Sequence, residues 1–398
     1  DEPCTRATLE LSPIIGGPQP EKLAHILLRR WAARIESNAA LAVSDLYEFQ
    51  AGAGDEDVIG AGRYAKVHQV LRRSDGAPCA IKVVSKDLFW ELVTLGSERE
   101  DALYREINTH VFLSRRMQVS GRELGLASIS RIYENRELLV LEMDLMDRCN
   151  LFQVVRDHRN KRLPERRVAD ITVGLVRIIA RLQSHGIVHR DIKLSNLVLM
   201  AGTADRFNTI NSRDLRSSLR LIDFGMATYI GEDGLVRGRC GTPGYCAPEV
   251  VRAQRHERYP ALVDMFSLGV VVYTMLAGYE PFQRHDLAET LRANRHCEFV
   301  FYDRPWARIS PHAKAFVSAL LTVDPSQRLT PAQALSHPWL AAATGANNTT
   351  NTTSPRCAKR VASRRPFAHV AAHGPVLGSL EVPAVPVEAP PLSRCVIT

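Results

Sequence analysis

The sequence predicts an α+β fold in two parts, a small antiparallel β-rich part with one main helix and a larger, mostly helical part. Short β-like runs dominate between residues 46 and 142, whereas the helical period dominates after residue 150. The last 58 residues are low in complexity, rich first in Asn and Thr and then in Pro. We therefore predict an N-terminal extension over 1–44, a folded domain over 45–340 and a disordered basic tail over 341–398.

Composition narrows the class of protein. Of the 398 residues, 45% are hydrophobic and 24% charged, as in soluble globular proteins. The longest apolar run, Leu268–Leu276, is much shorter than the ~20 residues that cross a bilayer, so we expect a buried helix there. The eight cysteines form no C-x-x-C pair, which argues against a zinc site or a disulfide framework and favours a reducing, cytoplasmic location. We expect no nucleic-acid partner.

The first predicted element is a basic amphipathic helix over Glu21–Ala42. Its apolar side chains share one face: Leu23, Ile26, Leu27, Trp31 and Ile35. Arg29, Arg30 and Arg34 lie beside that face. Such a helix can bind calmodulin or a membrane surface. The alternative is that it packs against its own domain.

The β-rich part follows in order along the chain. Strands are predicted at Asp57–Ile59, Ala65–Val70 and Cys79–Val84, with a turn signal at residues 72–76. A helix is predicted over Ala102–Leu113, and two further strands near Ser128–Tyr133 and Glu137–Glu142. The larger part is predicted from three helical segments: Arg166–Gln183, Asp264–Ala277 and Pro311–Leu321.

The stretch that carries the most chemistry begins at His189-Arg190-Asp191 and continues to Lys193 and Asn196. Asp223-Phe224-Gly225 follows 27 residues after Asn196. An Asp that orients a hydroxyl, a nearby Lys, and an Asn with a second Asp that hold a metal ion are the parts that phosphoryl transfer needs. The order and spacing make chance a poor explanation.

A glycine-rich segment upstream favours phosphate binding. Gly60-Ala61-Gly62 lies between the predicted strands, where glycine lets backbone N–H groups approach phosphate oxygens. An ordinary hairpin turn is the alternative. It is weakened by Lys82, which follows Val67 by 15 residues inside an apolar strand and therefore needs a charged partner. Glu106 is the best candidate, ahead of the two acids Glu100 and Asp101 at the start of the predicted helix.

Downstream motifs complete a pattern. Gly241-Thr242-Pro243-Gly244-Tyr245 leads into Ala247-Pro248-Glu249, Asp264 opens Asp-Met-Phe-Ser-Leu-Gly, and residues 324–330 and 337–339 read Asp-Pro-Ser-Gln-Arg-Leu-Thr and His-Pro-Trp. With these, residues 46–340 resemble a eukaryotic protein kinase domain, closest in character to the calcium/calmodulin-dependent protein kinase group. The resemblance implies a two-lobed kinase fold with Mg-ATP in the cleft between the lobes, and a Glu249–Arg328 ion pair.

The resemblance also implies a role for each matching residue. Asp191 would orient the substrate hydroxyl and accept its proton, Lys193 would neutralise the γ-phosphate, and Lys193 also favours Ser/Thr substrates. Asn196 and Asp223 would ligate Mg²⁺. The implied nucleotide-binding set is Ile59, Gly60, Ala61, Gly62, Val67, Ala80, Lys82 with Glu106, Leu141 as gatekeeper, the backbone of Glu142 and Asp144 at the hinge, and Asp223.

Two departures from the family bear on specificity and activation. At three positions the family often has acidic residues that bind a substrate Arg near the phosphorylated residue. These positions are uncharged here, namely Asn150, Ser195 and Thr274. We therefore expect no strong preference for Arg at the matching substrate positions, with Asp144 and Asp147 as alternative readers. The usual activating phosphosite falls on Gly238, so we expect activity without phosphorylation there, leaving Thr228 and Tyr229 as other sites.

Two further features depart locally from the family. The chain between Asn196 and Asp223 is longer than usual, and we expect Ala201–Arg220 to form a surface loop within a hairpin. His110, one turn after Glu106, stands where an apolar side chain usually packs. We expect a core His with its hydrogen bonds satisfied and no catalytic role.

The tail offers a membrane signal. Cys395-Val396-Ile397-Thr398 resembles a prenylation box, with basic sequence over Arg356–Arg365 and Cys357 as an acylation candidate. Chance is the alternative, and Thr is not a favoured last residue. Peripheral membrane contact and a nuclear location stay open beside the cytoplasmic one. The sequons at Asn347, Asn348 and Asn351 are expected to be unused.

Two rival functions stay open at this point. A pseudokinase scaffold or binding module would keep the fold without the chemistry, but the complete set from Lys82 to Asp223 argues against it. A small-molecule kinase of related fold is the second rival, and the Gly241–Glu249 segment favours a protein substrate instead.

Overall fold

The computed structural model describes residues 43–49, 58–118, 125–134, 137–254 and 257–344, with only the backbone of 115–118 and 344. The predicted basic helix over Glu21–Ala42 lies outside these residues, as do the prenylation box, the sequons and almost all of the tail. The predictions on those segments stay predictions. Within the described residues, no helix has the length and apolar character that crossing a membrane requires.

The small lobe is built on one antiparallel sheet. In the described residues it has six strands in the order β1-β3-β4-β6-β5, with β2 paired to β3. The strands are β1 Tyr47–Phe49, β2 Val58–Ala61, β3 Ala65–Arg72, β4 Pro78–Ser85, β5 Ile129–Glu134 and β6 Leu138–Met143. Three helices accompany them: α1 Val43–Leu46, α2 Lys86–Thr94 and α3 Ala102–Gln118. Helix α3 packs on one face of the sheet through Leu103 and Ile107, both buried.

The larger lobe is mostly helical. Its helices are α4 Leu151–Asp157, α5 Glu165–Ser184, α6 Ser212–Ser218, α7 Pro248–Arg252, α8 Val263–Ala277, α9 Leu287–His296, α10 Asp303–Trp306, α11 Pro311–Leu320, α12 Pro331–Ser336 and α13 Pro338–Thr344. Its short strands are β7 Met146–Asn150, β8 Ile187–Val188, β9 Leu197–Met200, β10 Leu219–Leu221, β11 Thr228–Tyr229, β12 Leu235–Arg237 and β13 Arg258–Pro260. Single 3₁₀ turns lie at Arg159–Lys161, Leu194–Asn196, Ala204–Arg206 and Pro325–Gln327.

Helix α8 forms the centre of this lobe. Every one of its residues is buried, including the polar Asp264, Ser267 and Thr274, so the helix lies wholly inside the lobe. Helix α8 ends at Gly278, whose φ of 86° is left-handed. A Cβ there would lie 2.7 Å from the backbone oxygen of Lys161, so only glycine lets the chain turn at this point.

The predicted two-part α+β architecture is confirmed, and the predicted helices match to within a residue or two except at one end. Helix α3 continues to Gln118, beyond the predicted Leu113. The predicted hairpin around Ala201–Arg220 is confirmed, because β9 and β10 pair with each other, but the prediction of a loop there was wrong in part, because helix α6 forms within it. Asn211 caps that helix and Leu215 is buried. Arg216 also pairs with the buried Asp170 of α5 at 2.6 Å, which fixes the insertion against the lobe.

Candidate active site

The loop that follows β8 is tied to the start of α8. The carboxylate of Asp264 accepts the backbone N–H groups of His189 and Arg190, each at 2.8 Å. Asp264 is fully buried, and burial raises its pKa even though the two N–H donors and His189 oppose that rise. The Nδ1 atom of His189 accepts the N–H of Asp191, so its proton lies on Nε2, facing the carbonyl of Ile222 at 3.2 Å. Asp264 and His189 thus fix the backbone of the loop.

Asp191 lies at the centre of a tight group of polar side chains. Its carboxylate is 3% exposed and accepts the hydroxyl of Thr242 at 2.6 Å. Lys193 Nζ lies 3.0 Å from its second oxygen, and the amide of Asn196 donates to that oxygen at 3.1 Å. Burial alone raises the pKa of Asp191, but the charge of Lys193 and the bonds from Thr242 and Lys193 outweigh it. The pKa is therefore held below its usual value, and the carboxylate is ionised at neutral pH.

Asn196 and Asp223 offer oxygen ligands on the adjoining wall. The nitrogen of the Asn196 amide donates to Asp191, and no described residue hydrogen-bonds its oxygen. Asp223 has a left-handed φ of 65°, and one of its carboxylate oxygens accepts the N–H of Gly225 at 3.1 Å. Such hard oxygen donors suit Mg²⁺, which needs only one or two protein ligands when nucleotide phosphates and water supply the others. The two side chains therefore fit a magnesium ion bound together with a nucleotide.

Lys82 forms an ion pair with Glu106, the partner that the sequence predicts. Its Nζ lies 2.6 Å from the carboxylate of Glu106 on α3, across the face of the sheet. Burial lowers the pKa of Lys82, but Glu106 and Asp223 raise it by more, so its pKa is raised overall. Lys82 is therefore charged, and its attraction to Asp223 links the sheet to the metal ligands. The lower-ranked candidate Asp101 pairs with Arg99 and Arg105 instead.

The glycine-rich turn joins β2 to β3. Ile59 and Gly60 are half-buried, whereas Ala61 and Gly62 are exposed at its tip. Gly62 donates its N–H to the carbonyl of Ala65 at 2.7 Å, which closes the turn. Beyond the tip, Arg63 pairs with Glu98 at 2.5 Å and so ties the turn to the segment before α3. Val67 lies opposite Lys82 in the sheet, and Ala80 is buried two residues before Lys82.

The hinge strand places Leu141, Glu142 and Asp144 in different surroundings. Leu141 is buried opposite Lys82, and Glu142 directs its carboxylate away from the cleft to Tyr47 and Ser130, both at 2.6 Å. Asp144 forms a reciprocal pair with Ser128, donating its N–H at 3.2 Å and accepting that of Ser128 at 3.0 Å. The N–H expected to meet adenine is thus engaged within the protein in this structure, a departure that the sequence did not predict.

Two rings link this site to α3. Phe224 is buried, and the centroid of its ring lies 4.9 Å from the ring centroid of His110 and 5.1 Å from that of His189. His110 is 9% exposed and its Nε2 bonds the carbonyl of Ala127. Burial lowers the pKa of His110 to about 4, although the bond to Ala127 opposes it. His110 is therefore a neutral core residue, as expected.

Arg190 is held by carbonyl groups of the segment that follows Asp223 and, at a longer distance of 3.5 Å, by the hydroxyl of Tyr259. Its guanidinium donates to Met226 at 2.7 Å, to Arg237 at 2.7 Å and to Gly238 at 3.1 Å. A Cβ on Gly238 would approach Arg190 Nη1 to 3.5 Å. Carbonyl oxygens thus fill the place around Arg190 where the family would have a phosphate.

The segment after Asp223 is anchored at its far end as well. Arg328, 2% exposed, forms two hydrogen bonds with the carboxylate of Glu249, at 2.7 and 2.9 Å, as the resemblance implied.

Three residues near the site were not predicted as site residues: Thr242, which is bonded to Asp191, Asp264, which holds the loop backbone, and Glu280, which accepts the hydroxyl of Tyr245 at 2.7 Å. The sequence motifs included Thr242 and Asp264, but nothing in the spacing said that their side chains reach the catalytic loop.

Comparison with known proteins gives one family and many relatives. The family model for the protein kinase domain matches residues 54–340. Human calcium/calmodulin-dependent protein kinase type IV is 30% identical over 75% of this chain and 55% of its own length. Myosin light chain kinase A of Dictyostelium discoideum is 29% identical over 78% of this chain and 92% of its own. The bovine phosphorylase b kinase gamma catalytic chain, liver/testis isoform, is 31% identical over 73% and 67%.

These relatives differ in how much of them the chain covers. The match includes 55% of the human kinase and only 43%, 40% and 37% of three other relatives. The chain thus spans about half the length of several of the proteins it resembles. The shared part is the two-lobed region that carries the site described above.

Proposed function

We propose that this chain, which belongs to the protein kinase family, is an active Ser/Thr protein kinase that transfers the γ-phosphate of Mg-ATP to a protein hydroxyl. The observation that carries the proposal is the arrangement around Asp191. A buried, ionised carboxylate already accepts a hydroxyl at 2.6 Å, that of Thr242, with the ammonium of Lys193 3.0 Å from its other oxygen. A substrate hydroxyl could donate to the same carboxylate.

Each side chain has a task that its surroundings support. Bound Mg-ATP supplies the transferable phosphoryl group. Asp191 orients the substrate hydroxyl and takes its proton, which its lowered pKa permits at neutral pH. Lys193 offsets the charge that develops on the phosphoryl oxygens. Lys82 holds the α- and β-phosphates and is itself held by Glu106. Asn196 and Asp223 would hold the magnesium ion.

A turnover assay with several acceptors tests this function. The full chain is incubated with labelled Mg-ATP, a panel of generic protein substrates and a panel of phosphorylatable metabolites. We expect label on Ser and Thr of the proteins, found by phosphoamino-acid analysis. Label confined to metabolites would favour a small-molecule kinase. Nucleotide binding with no transfer to any acceptor would favour a pseudokinase scaffold.

We infer further that activity needs no phosphate in the segment around residue 238. The carbonyl groups around Arg190 support this inference, since they satisfy the guanidinium that would otherwise await a phosphate. Treatment with a phosphatase, checked by mass spectrometry, is expected to leave the rate within about twofold of the untreated sample. Complete loss of activity after that treatment would contradict the inference.

We also propose calmodulin as a regulatory partner. The support is the predicted basic amphipathic helix over residues 21–42, together with similarity to a kinase whose name states calcium/calmodulin dependence. The test is binding of Ca²⁺-calmodulin to the full chain by calorimetry, with Trp31→Ala as the variant. We expect Ca²⁺-dependent binding that the substitution weakens. Equal binding by both proteins, or none by wild type, would contradict the proposal.

A further inference from the structure

Glu280 lies beside the segment that the resemblance identifies as substrate-docking. It follows α8 in the turn after Gly278, half-buried, and its carboxylate accepts the hydroxyl of Tyr245 at 2.7 Å. The other carboxylate oxygen lies 3.7 Å from where a Cβ on Gly244 would be. A Cβ on Gly244 would thus make an ordinary van der Waals contact with that oxygen. The carboxylate is thus placed against the backbone that a substrate would follow.

Among the described residues, this carboxylate forms no ion pair within 4 Å, although the charge of Lys193 acts on it. Its one hydrogen-bonding partner there is the neutral phenol of Tyr245. The nearby guanidinium of Arg284 donates to the carbonyls of Pro281, Gln283 and Glu298 instead. Burial raises the pKa of Glu280, and Tyr245 and Lys193 only partly offset the rise. A cation that brings its own hydrogen-bond donors therefore stabilises such a partly desolvated carboxylate more than it would stabilise an exposed one.

Lys193 interacts with both the catalytic aspartate and Glu280. The same ammonium group contacts Asp191 at 3.0 Å and Thr242 at 2.9 Å, and its charge lowers the pKa of Glu280. Glu280 is therefore close enough to Lys193, and so to the catalytic Asp191, for the charge of the lysine to act on it. A substrate residue within about three positions of the accepting hydroxyl, some 10 Å of extended chain, could reach it.

The other acids considered as readers of a basic substrate are already engaged. Asp147 accepts three backbone N–H groups, from Gly202 at 2.7 Å, Thr203 at 3.1 Å and Ala204 at 2.6 Å. Asp144 accepts the N–H of Ser128. The inserted segment thus uses Asp147 as a structural cap, and neither acid is placed to take a substrate cation as well as Glu280 is.

We propose that Glu280 is a specificity-determining residue that binds the guanidinium or ammonium group of a basic substrate residue near the phosphorylated Ser or Thr. The proposal rests on the proposed kinase function and names its substrate class. It revises our expectation from Asn150, Ser195 and Thr274, because the acid missing at Thr274 is supplied from the turn that follows the same helix. Thr274 itself donates its hydroxyl to the carbonyl of Val270 at 2.8 Å, which leaves it no charge to offer.

A positional-scanning peptide array with the full chain tests the proposal. Wild type is expected to prefer Arg or Lys at one position, and Glu280→Gln, which keeps size and the bond from Tyr245, to lower kcat/KM for that peptide by about tenfold or more. A peptide with Ala at that position should change little between the two proteins. Glu289→Gln, which alters an exposed acid of α9, is the matched control and should keep the wild-type profile.

Charge reversal separates recognition from a structural role. Glu280→Lys is expected to lose the basic preference and to favour a peptide with Glu at the selected position, which a merely structural residue would not do. A basic preference that survives in both Glu280 variants, or its absence in wild type, would overturn this inference while leaving the kinase function standing. Failure of wild type to label any peptide or protein would overturn the kinase function and the inference with it.

Discussion

The two walls of the cleft are assembled in different ways. On the large-lobe side, Asp191 is fixed by several contacts at once, because Asp264 holds the backbone, His189 accepts its N–H, and Thr242, Lys193 and Asn196 surround its carboxylate. On the small-lobe side, Lys82 is positioned by one ion pair with Glu106, between a strand and a helix. Among the described residues, several hydrogen bonds and an ion pair hold Asp191, whereas Lys82 is held by its ion pair with Glu106 and by the charge of Asp223.

This difference indicates where control of activity can act. Loss of one contact around Asp191 leaves the others in place, so that wall is pre-formed even without a phosphate near Arg190. A displacement of α3 would separate Glu106 from Lys82, because this ion pair joins the helix to the strand. We therefore expect removal of a buried support of the large-lobe wall, such as Asp264, to affect stability and activity together, and substitutions in the small-lobe wall to affect mainly activity.

The largest effect is expected for Asp264→Ala. The substitution leaves two backbone N–H groups without their acceptor, one of them in the fully buried His189, and should lower the free energy of unfolding by about 3 kcal/mol or more. Activity should fall with it, because the catalytic loop loses its anchor. Urea unfolding and a phosphotransfer assay measure the two effects. The exposed Asp205→Ala is the control, expected to stay within about 0.5 kcal/mol of wild type.

The second largest effect is a loss of stability at acidic pH that is caused by His110, whose ring lies beside Phe224 between the two walls. Because burial lowers the pKa of His110 to about 4, the unfolded chain binds a proton there between pH 6.5 and 4 that the folded chain does not. Stability should therefore fall as the pH drops through this range, by roughly 3 kcal/mol from this residue. His110→Leu should flatten the decline when both proteins are unfolded in urea at several pH values. Equal slopes for the two proteins would contradict the assignment.

The third effect is a separation of activity from stability. Glu106→Gln should lower phosphotransfer by about a hundredfold, since Lys82 loses the charge that positions it. The free energy of unfolding should change by less than it does in Asp264→Ala, because the amide can still accept a hydrogen bond from Lys82, whose side chain is 21% exposed. The exposed Glu91→Gln should alter neither quantity. A loss of stability as large as that of Asp264→Ala would show that the two walls do not differ as described.

The sequence predicted the parts of this site that are local in the chain or that follow the family's spacing. Lys82 required a partner because it lies in an apolar strand, and Glu106 ranked above Glu100 and Asp101 because those two lie at the helix start, where acids are normally solvated. Thr242 reaches Asp191 across 51 positions of chain and Tyr245 reaches Glu280 across 35, and only the folded lobe brings each pair together. The pair between Asp144 and Ser128 likewise depends on how the hinge leaves the sheet. Helix α6 was missed because a seven-residue polar segment carries too little apolar periodicity.

The most direct test of the account is Asp191→Asn in the full chain, assayed for phosphate transfer to protein and for nucleotide binding. The amide keeps the shape of the side chain but cannot take the proton of a hydroxyl. We expect transfer to fall by about a thousandfold or more, with ATP affinity and the unfolding transition close to those of wild type. Transfer by the variant at more than a tenth of the wild-type rate would contradict the role assigned to Asp191 and the function built on it.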